Sequence, residues 1–147
     1  MDAIAARVSE EDVQKFLKSY FDSMTALDVE AIAAHYSPDI IAYDAIEKLE
    51  FVGRNAYKAH WKACLDMCKA MTFQPHDLKV HVEGDLAVAH ALVRCVATGV
   101  DGTEHTGWMR ATMAARRKDG AWEIVHEHHS SPFDPTSMKV LDLSPDS

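Results

Sequence analysis

The stretch Trp122-Glu123-Ile124-Val125-His126-Glu127-His128-His129-Ser130-Ser131-Pro132-Phe133-Asp134-Pro135 decides how the chain is read. Its residues alternate with a period of two, so it reads as a β-strand that ends at the prolines, which donate no ladder hydrogen bond. Unbroken alternation places Trp122, Ile124, His126, His128 and Ser130 on one face, and Glu123, Val125, Glu127, His129 and Ser131 on the other. The first face begins apolar and ends in two imidazoles and a hydroxyl. Such a face predicts a strand that leaves a hydrophobic core and becomes one wall of a cavity.

Working backwards from that strand, three turn signals stand in close order: Gly84-Asp85, Asp101-Gly102 and Asp119-Gly120. Each is flanked by runs rich in β-forming residues, which predicts an antiparallel meander with strands at about 72–83, 85–100, 103–118 and 121–131. In the second of these, Leu86, Val88, His90, Leu92, Arg94 and Val96 share one face, and Ala87, Ala89, Ala91, Val93, Cys95 and Ala97 the other. Neither face is uniformly polar, whereas an antiparallel sheet with one wet side alternates cleanly. Both sides of the sheet are therefore expected to be covered, one by helices and the other by a second copy of the chain.

The N-terminal half has a helical period. Ser9-Glu10-Glu11-Asp12 reads as a helix start, followed by Val13, Phe16, Leu17, Tyr20, Phe21 and Met24 as an amphipathic stripe. Tyr20 falls inside that stripe, so its hydroxyl must find a partner in the interior. Asp28 caps a shorter helix that runs to about His35-Tyr36 and that Ser37-Pro38-Asp39 ends. Ile40 to Asp44 reads as a short strand that places Asp44 on the same face as Ile40 and Ala42. Gly53 precedes a third helix carrying Tyr57, Trp61, Cys64, Leu65 and Cys68.

At 147 residues the chain is long enough for one domain with its own core. A formal net charge of −8 with no basic stripe argues against nucleic acid or an anionic membrane as partner. Three cysteines, two of them at helical spacing, form neither a disulfide framework nor a zinc motif. The N-terminus lacks a basic segment leading into an apolar run, and no stretch reaches transmembrane length, which predicts a cytoplasmic protein. Residues 1–135 are expected to form the domain, and 136–147 a short tail that Met138, Val140, Leu141 and Leu143 could dock.

The segments Tyr20-Phe-Asp-Ser-Met-Thr-Ala-Leu-Asp28, Ala31-Ile-Ala-Ala-His-Tyr-Ser-Pro-Asp-Ile-Ile-Ala-Tyr-Asp44, Gly53-Arg-Asn-Ala-Tyr57 and Asp119-Gly-Ala-Trp-Glu-Ile-Val125 resemble the nuclear transport factor 2-like superfamily. Within it, the chain looks most like the ketosteroid isomerase and SnoaL-like polyketide cyclase branch. The resemblance spans about residues 9–133. It implies an α+β fold in which a cone-shaped, curved antiparallel sheet wraps around an N-terminal helix, with two further helices (a cystatin-like roll). It also implies an enclosed pocket for a small hydrophobic or carbonyl-containing ligand. Carried over by position, Tyr20 would be an oxyanion-binding phenol and Asp44 a general base whose pKa burial lifts. The second oxyanion donor of the isomerases aligns with Ala114, which cannot donate.

His126 and His128 are the candidates to fill that vacancy, with Trp61, Trp108, Arg110, Thr112 and Ser130 as candidate substrate contacts. Arg110 could instead pair with Asp44, holding it ionised and weakening it as a base. His126 and His128 could ligate a metal if Asp44 approached, but no specific ligand motif is present, so neither metal nor cofactor is expected. His35, His60, His76, His81, His90 and His105 lie singly on ordinary elements. Two functions fit: a cofactor-independent isomerase, cyclase or lyase that moves protons on a small apolar carbonyl compound, or a non-catalytic dimeric module that binds a ligand or a partner protein.

Overall fold

In the computed structural model, which describes residues 3–146, three helices pack on one six-stranded sheet. The elements are α1 (Ala3–Thr25), α2 (Val29–Ala34), β1 (Tyr36–Tyr43), β2 (Phe51–Val52), α3 (Arg54–Leu65), β3 (Cys68–Glu83), β4 (Leu86–Gly99), β5 (Glu104–Lys118) and β6 (Ala121–Ser130). The strands lie in the order β2-β1-β6-β5-β4-β3, so the sheet is open, with β2 and β3 at its edges. The meander β3 to β6 is antiparallel throughout, and β1 joins it by pairing parallel to β6. At the β5–β6 turn Asp119 and Gly120 both take positive φ (52° and 81°), the backbone that a two-residue hairpin matched to strand twist requires.

Helix α1 begins at Ala3, earlier than the Ser9 start read from the sequence. The Ala-rich segment ahead of Ser9 is itself a good helix former, so the acids at 10–12 sit inside the helix rather than in its first turn. The stripe Val13, Leu17, Tyr20, Phe21 and Met24 is buried as expected. Asp28 caps α2 by accepting from the Ala31 amide at 3.0 Å. Strand β1 starts at Tyr36, before the Ser-Pro-Asp segment, and Ile40 and Ala42 face inward. The inner faces of β4 and β5 carry mainly small residues (Ala87, Ala89, Ala91, Ala111 and Ala115), which leave room in the concavity for the large side chains of α1 and α3.

The decisive departure from simple alternation is in β6. Ala115 pairs with Ile124 but Ala114 pairs with His126, so Val125 is an extra residue, a β-bulge. One extra residue inverts the side-chain alternation beyond it. Ile124 is in the core, and after the bulge Glu127 and His129 point inward, 0% and 5% exposed. His126 and His128 are turned to the outer face. The expectation that both lie on the face of Ile124 is therefore corrected.

The C-terminal segment folds back after β6. The Asp134 amide donates to Lys139 at 2.8 Å and the Leu141 amide to Pro132 at 2.9 Å, and Phe133 bridges Val140. Leu141 and Leu143 thereby line a groove with Leu92 and Trp108.

Candidate active site

Four elements, β6 among them, build the site at the inward end of β6. Helix α1 brings Tyr20; β1 brings Tyr36 at its start and Asp44 just beyond its end. Helix α3 brings Tyr57 and His60, which share one helix face at spacing i, i+3. β6 brings Glu127 and His129. Tyr36 donates its hydroxyl proton to Tyr20 at 2.5 Å, because Tyr20 in turn donates to Glu127 Oε1 at 2.6 Å. Tyr57 donates to Glu127 Oε2 at 2.5 Å. These two phenols satisfy a carboxylate that is completely buried.

The line of groups continues from Glu127 to solvent through His129. Its Nε2 lies 3.7 Å from Glu127 Oε2 and its Nδ1 3.5 Å from Asp44 Oδ1, distances of ion pairs rather than of good hydrogen bonds. His60 Nε2 donates to Asp44 Oδ2 at 2.5 Å, and the Ala45 amide donates to Asp44 Oδ1 at 2.9 Å. The His60 ring is held by stacking on Phe51, with centroids 4.2 Å apart. Asp44 and His129 form the floor of a cavity of about 560 Å³, whose walls include Tyr43, Ile46, Met109 and Val140, with Lys48 as its cationic member.

The electrostatics of this cluster follow from burial and neighbours. Burial works to raise the Asp44 carboxyl, but hydrogen bonding and charge from His129, then His60, outweigh it and hold the group below the usual carboxylate value. Burial works to lower His129, but the Glu127 charge first and Asp44 second lift it above the ordinary imidazole value. Tyr20, Tyr36 and Tyr57 are pushed well above the usual phenol range by burial and then by the Glu127 charge, so they stay protonated as donors. The floor of the cavity thus sets His129, its protonated form favoured, between two acidic side chains: Glu127, which is buried, and Asp44, at the cavity surface.

The residues expected from the sequence are placed unevenly by this geometry. Asp44 is inside, as its alternation with Ile40 and Ala42 required, but its pKa is lowered rather than lifted. The groups that lower it are histidines; Arg110 is on the outer face, where its Nε donates to Ser130 Oγ at 3.1 Å. Tyr20 is buried behind Glu127 and does not line the cavity. His126 donates through Nδ1 to the Ile41 carbonyl at 2.6 Å and packs edge-on against Tyr43. His128 also meets Tyr43 and reaches only the cavity rim, with Ser130. Trp61 is a core residue against Tyr57 and Phe73. Trp108, edge-on to His76, and Thr112, between His90 and His128, lie on the outer face.

Ala114 also faces outward, so the position facing the site on β5 is not 114. The inward neighbours are Met113, opposite Glu127, and Ala111, opposite His129; neither can donate. Glu127, His129, His60, Tyr57 and Tyr36 were not anticipated as site residues. The spacing of Tyr57, His60 and Trp61 was a usable helical signal, whereas the inward turn of Glu127 and His129 depends on the bulge. Among the described residues, no group of three or more His, Cys, Asp or Glu side chains is disposed to ligate one ion. No described helix is long and apolar enough to cross a membrane.

An α+β roll in which an open curved sheet packs on three helices defines the NTF2-like class. The chain belongs to the SnoaL-like domain family, whose model matches residues 13–134. It is 41% identical to an NTF2-like protein of unknown function from Pseudomonas putida KT2440, with a TM-score of 0.87 over 95% of this chain and 98% of that one. Two more distant structures share the fold. One is a putative dehydratase of the NTF2-like family from Streptomyces avermitilis (16% identity, TM-score 0.80, 88% and 99% covered). The other is a putative scytalone dehydratase from Novosphingobium aromaticivorans (14% identity, TM-score 0.75, 83% of each chain). No curated protein sequence matches the chain.

Proposed function

We propose that the protein is a cofactor-independent enzyme that moves protons on a small, largely apolar compound bearing a carbonyl group, as a lyase of the dehydratase or cyclase type or as an isomerase. The observation that carries this reading is the Asp44–His129 pair at the floor of a mostly apolar cavity, backed by a fully buried Glu127. Perturbed titratable groups converging in a pocket are the usual signature of acid–base chemistry. The dehydratase-like names among fold relatives are consistent with it.

In this reading Asp44, kept ionised by His129 and His60 at some loss of basicity, takes the proton from the carbon next to the carbonyl, and the electron pair moves into the carbonyl as an enolate. The His129 imidazolium beside it stabilises the developing negative charge. In an elimination, the pair then expels a hydroxyl β to the carbonyl, which leaves as water with the His129 proton. Asp44 passes its proton to His129 and the pair is reset. In an isomerisation, Asp44 returns the proton to another carbon instead. Glu127 and its two phenols keep His129 charged and touch no substrate, so they act as positioning residues. The ~10²–10⁴-fold worth of a placed acid or base sets the scale of the effect of removing either partner.

The test is deuterium incorporation from D2O next to the carbonyl in a panel of small ketones and hydroxyketones, read by nuclear magnetic resonance. The wild-type chain should catalyse exchange in part of the panel, and Asp44→Asn and His129→Gln should each remove it while the fold persists. Exchange that survives both substitutions would rule the pair out as the acid–base centre.

The second proposal concerns assembly: the outer face of the sheet pairs with another copy of the chain. Leu86, Val88, Leu92 and Tyr43 stand on that face at 46%, 37%, 38% and 40% exposure, too apolar a row for a strand surface that meets only water.

A further inference from the structure

His81, near the end of β3, and His90, on β4, are diagonal neighbours on the outer face, in the registers His81–Val88 and Lys79–His90. Their Nε2 atoms are 3.2 Å apart, their rings nearly parallel at 22° with centroids separated by 5.4 Å. In sequence the two residues stand nine positions apart, on either side of the Gly84-Asp85 turn. We propose that His81 and His90 form a two-imidazole chelate for a divalent transition-metal ion of the zinc, nickel and copper class.

The geometry matches the coordination requirement. Two nitrogens, each about 2.0–2.1 Å from a tetrahedral zinc, stand about 3.3 Å apart. The observed separation is close to this value, with a metal ion replacing the proton the two nitrogens share in their hydrogen bond, and the β3–β4 ladder fixes both backbones, so only side-chain torsions remain to be ordered on binding. Both residues are exposed in the single chain, where the other coordination positions are open to water; because they lie on the face proposed above to meet a second copy, metal binding and that pairing would compete. Among the described residues, neither imidazole makes an ion pair with a carboxylate. Lys79, the cation beside His90, is drawn to Asp77 at 3.3 Å. The chain's formal charge of −8 favours a cation at long range. Two imidazole ligands without a carboxylate select borderline metals over magnesium or calcium, which take oxygen donors.

This site is remote from the Asp44–His129 floor and independent of what that floor does. The experiment is calorimetric titration of the whole chain with zinc chloride, together with imidazole 15N spectra. One ion per chain is expected, with His81 and His90 resonances shifting together on saturation. His81→Ala and His90→Ala should each weaken binding by roughly tenfold or more, and His105→Ala should leave it unchanged. Nickel chloride should compete with zinc and magnesium chloride should not. No heat of binding with zinc in large excess would overturn the proposal. So would zinc binding that both alanine variants retain, or spectra in which other imidazoles shift instead.

Discussion

The phenol ladder around Glu127 makes a quantitative ordering of three single substitutions. In Tyr20→Phe the chain loses the 2.6 Å bond to a buried carboxylate, and the Tyr36 hydroxyl, which donates to Tyr20, is left without its acceptor. A hydrogen bond to a charged group contributes about 1.5–3 kcal/mol, and a stranded buried hydroxyl costs about 1–3 kcal/mol, so the two together give about 2.5–6 kcal/mol. Tyr57→Phe removes one charge-assisted bond but strands no second hydroxyl, about 1.5–3 kcal/mol. Tyr36→Phe removes one phenol–phenol bond and leaves Tyr20 bound to Glu127, about 0.5–1.5 kcal/mol. Urea unfolding followed by tryptophan fluorescence and circular dichroism measures all three, and at this chain size Tyr20→Phe should lower Tm by on the order of 10 °C. If Tyr20→Phe destabilises no more than Tyr36→Phe, the donor order from Tyr36 through Tyr20 to Glu127 is wrong.

Stability should depend on pH from both sides of neutrality. His129 has a raised folded pKa, so its contribution is complete below about 6.5 and is lost as pH rises through the folded value. Asp44 has a lowered folded pKa, so its contribution is present above about 3.9 and is lost as pH falls through the folded value. The urea midpoint should therefore peak between these limits, and the double substitution Asp44→Asn with His129→Gln should flatten the profile. Exchange activity should fall on the same two limbs, the acid limb from Asp44 and the basic limb from His129; a profile with a single limb would contradict the paired roles. At the outer face, Val88→Asp with Leu92→Asp should convert a dimer to a monomer by light scattering, and a wild-type monomer at micromolar concentration would refute the interface.

Most of the architecture was legible because it rests on period and turn chemistry. The stripe from Val13 to Met24, the cap at Asp28, the Gly53 boundary and the Asp119-Gly120 hairpin are all local signals, and each is found in place. Asp44 was legible for the same reason, since Ile40, Ala42 and Asp44 alternate without interruption. The histidines were not. Val125 carries nothing in its side chain that marks it as an extra residue, yet it reverses which of two plausible faces enters the cavity. The consequence extends to Ala114, whose outward placement follows from the same parity. The pairing of β1 alongside β6, which brings Asp44 to His129, is a long-range contact with no local signal, and so is the meeting of α3 with β1 that brings His60 to Asp44.

The central claim is that His129 is an imidazolium held between Asp44 and Glu127 at the cavity floor. A pH titration of 15N-labelled imidazole side chains tests it directly. The account predicts a His129 midpoint above the ordinary ~6.5, falling when Asp44→Asn removes one flanking charge; a midpoint at or below that value in the wild-type chain would contradict it.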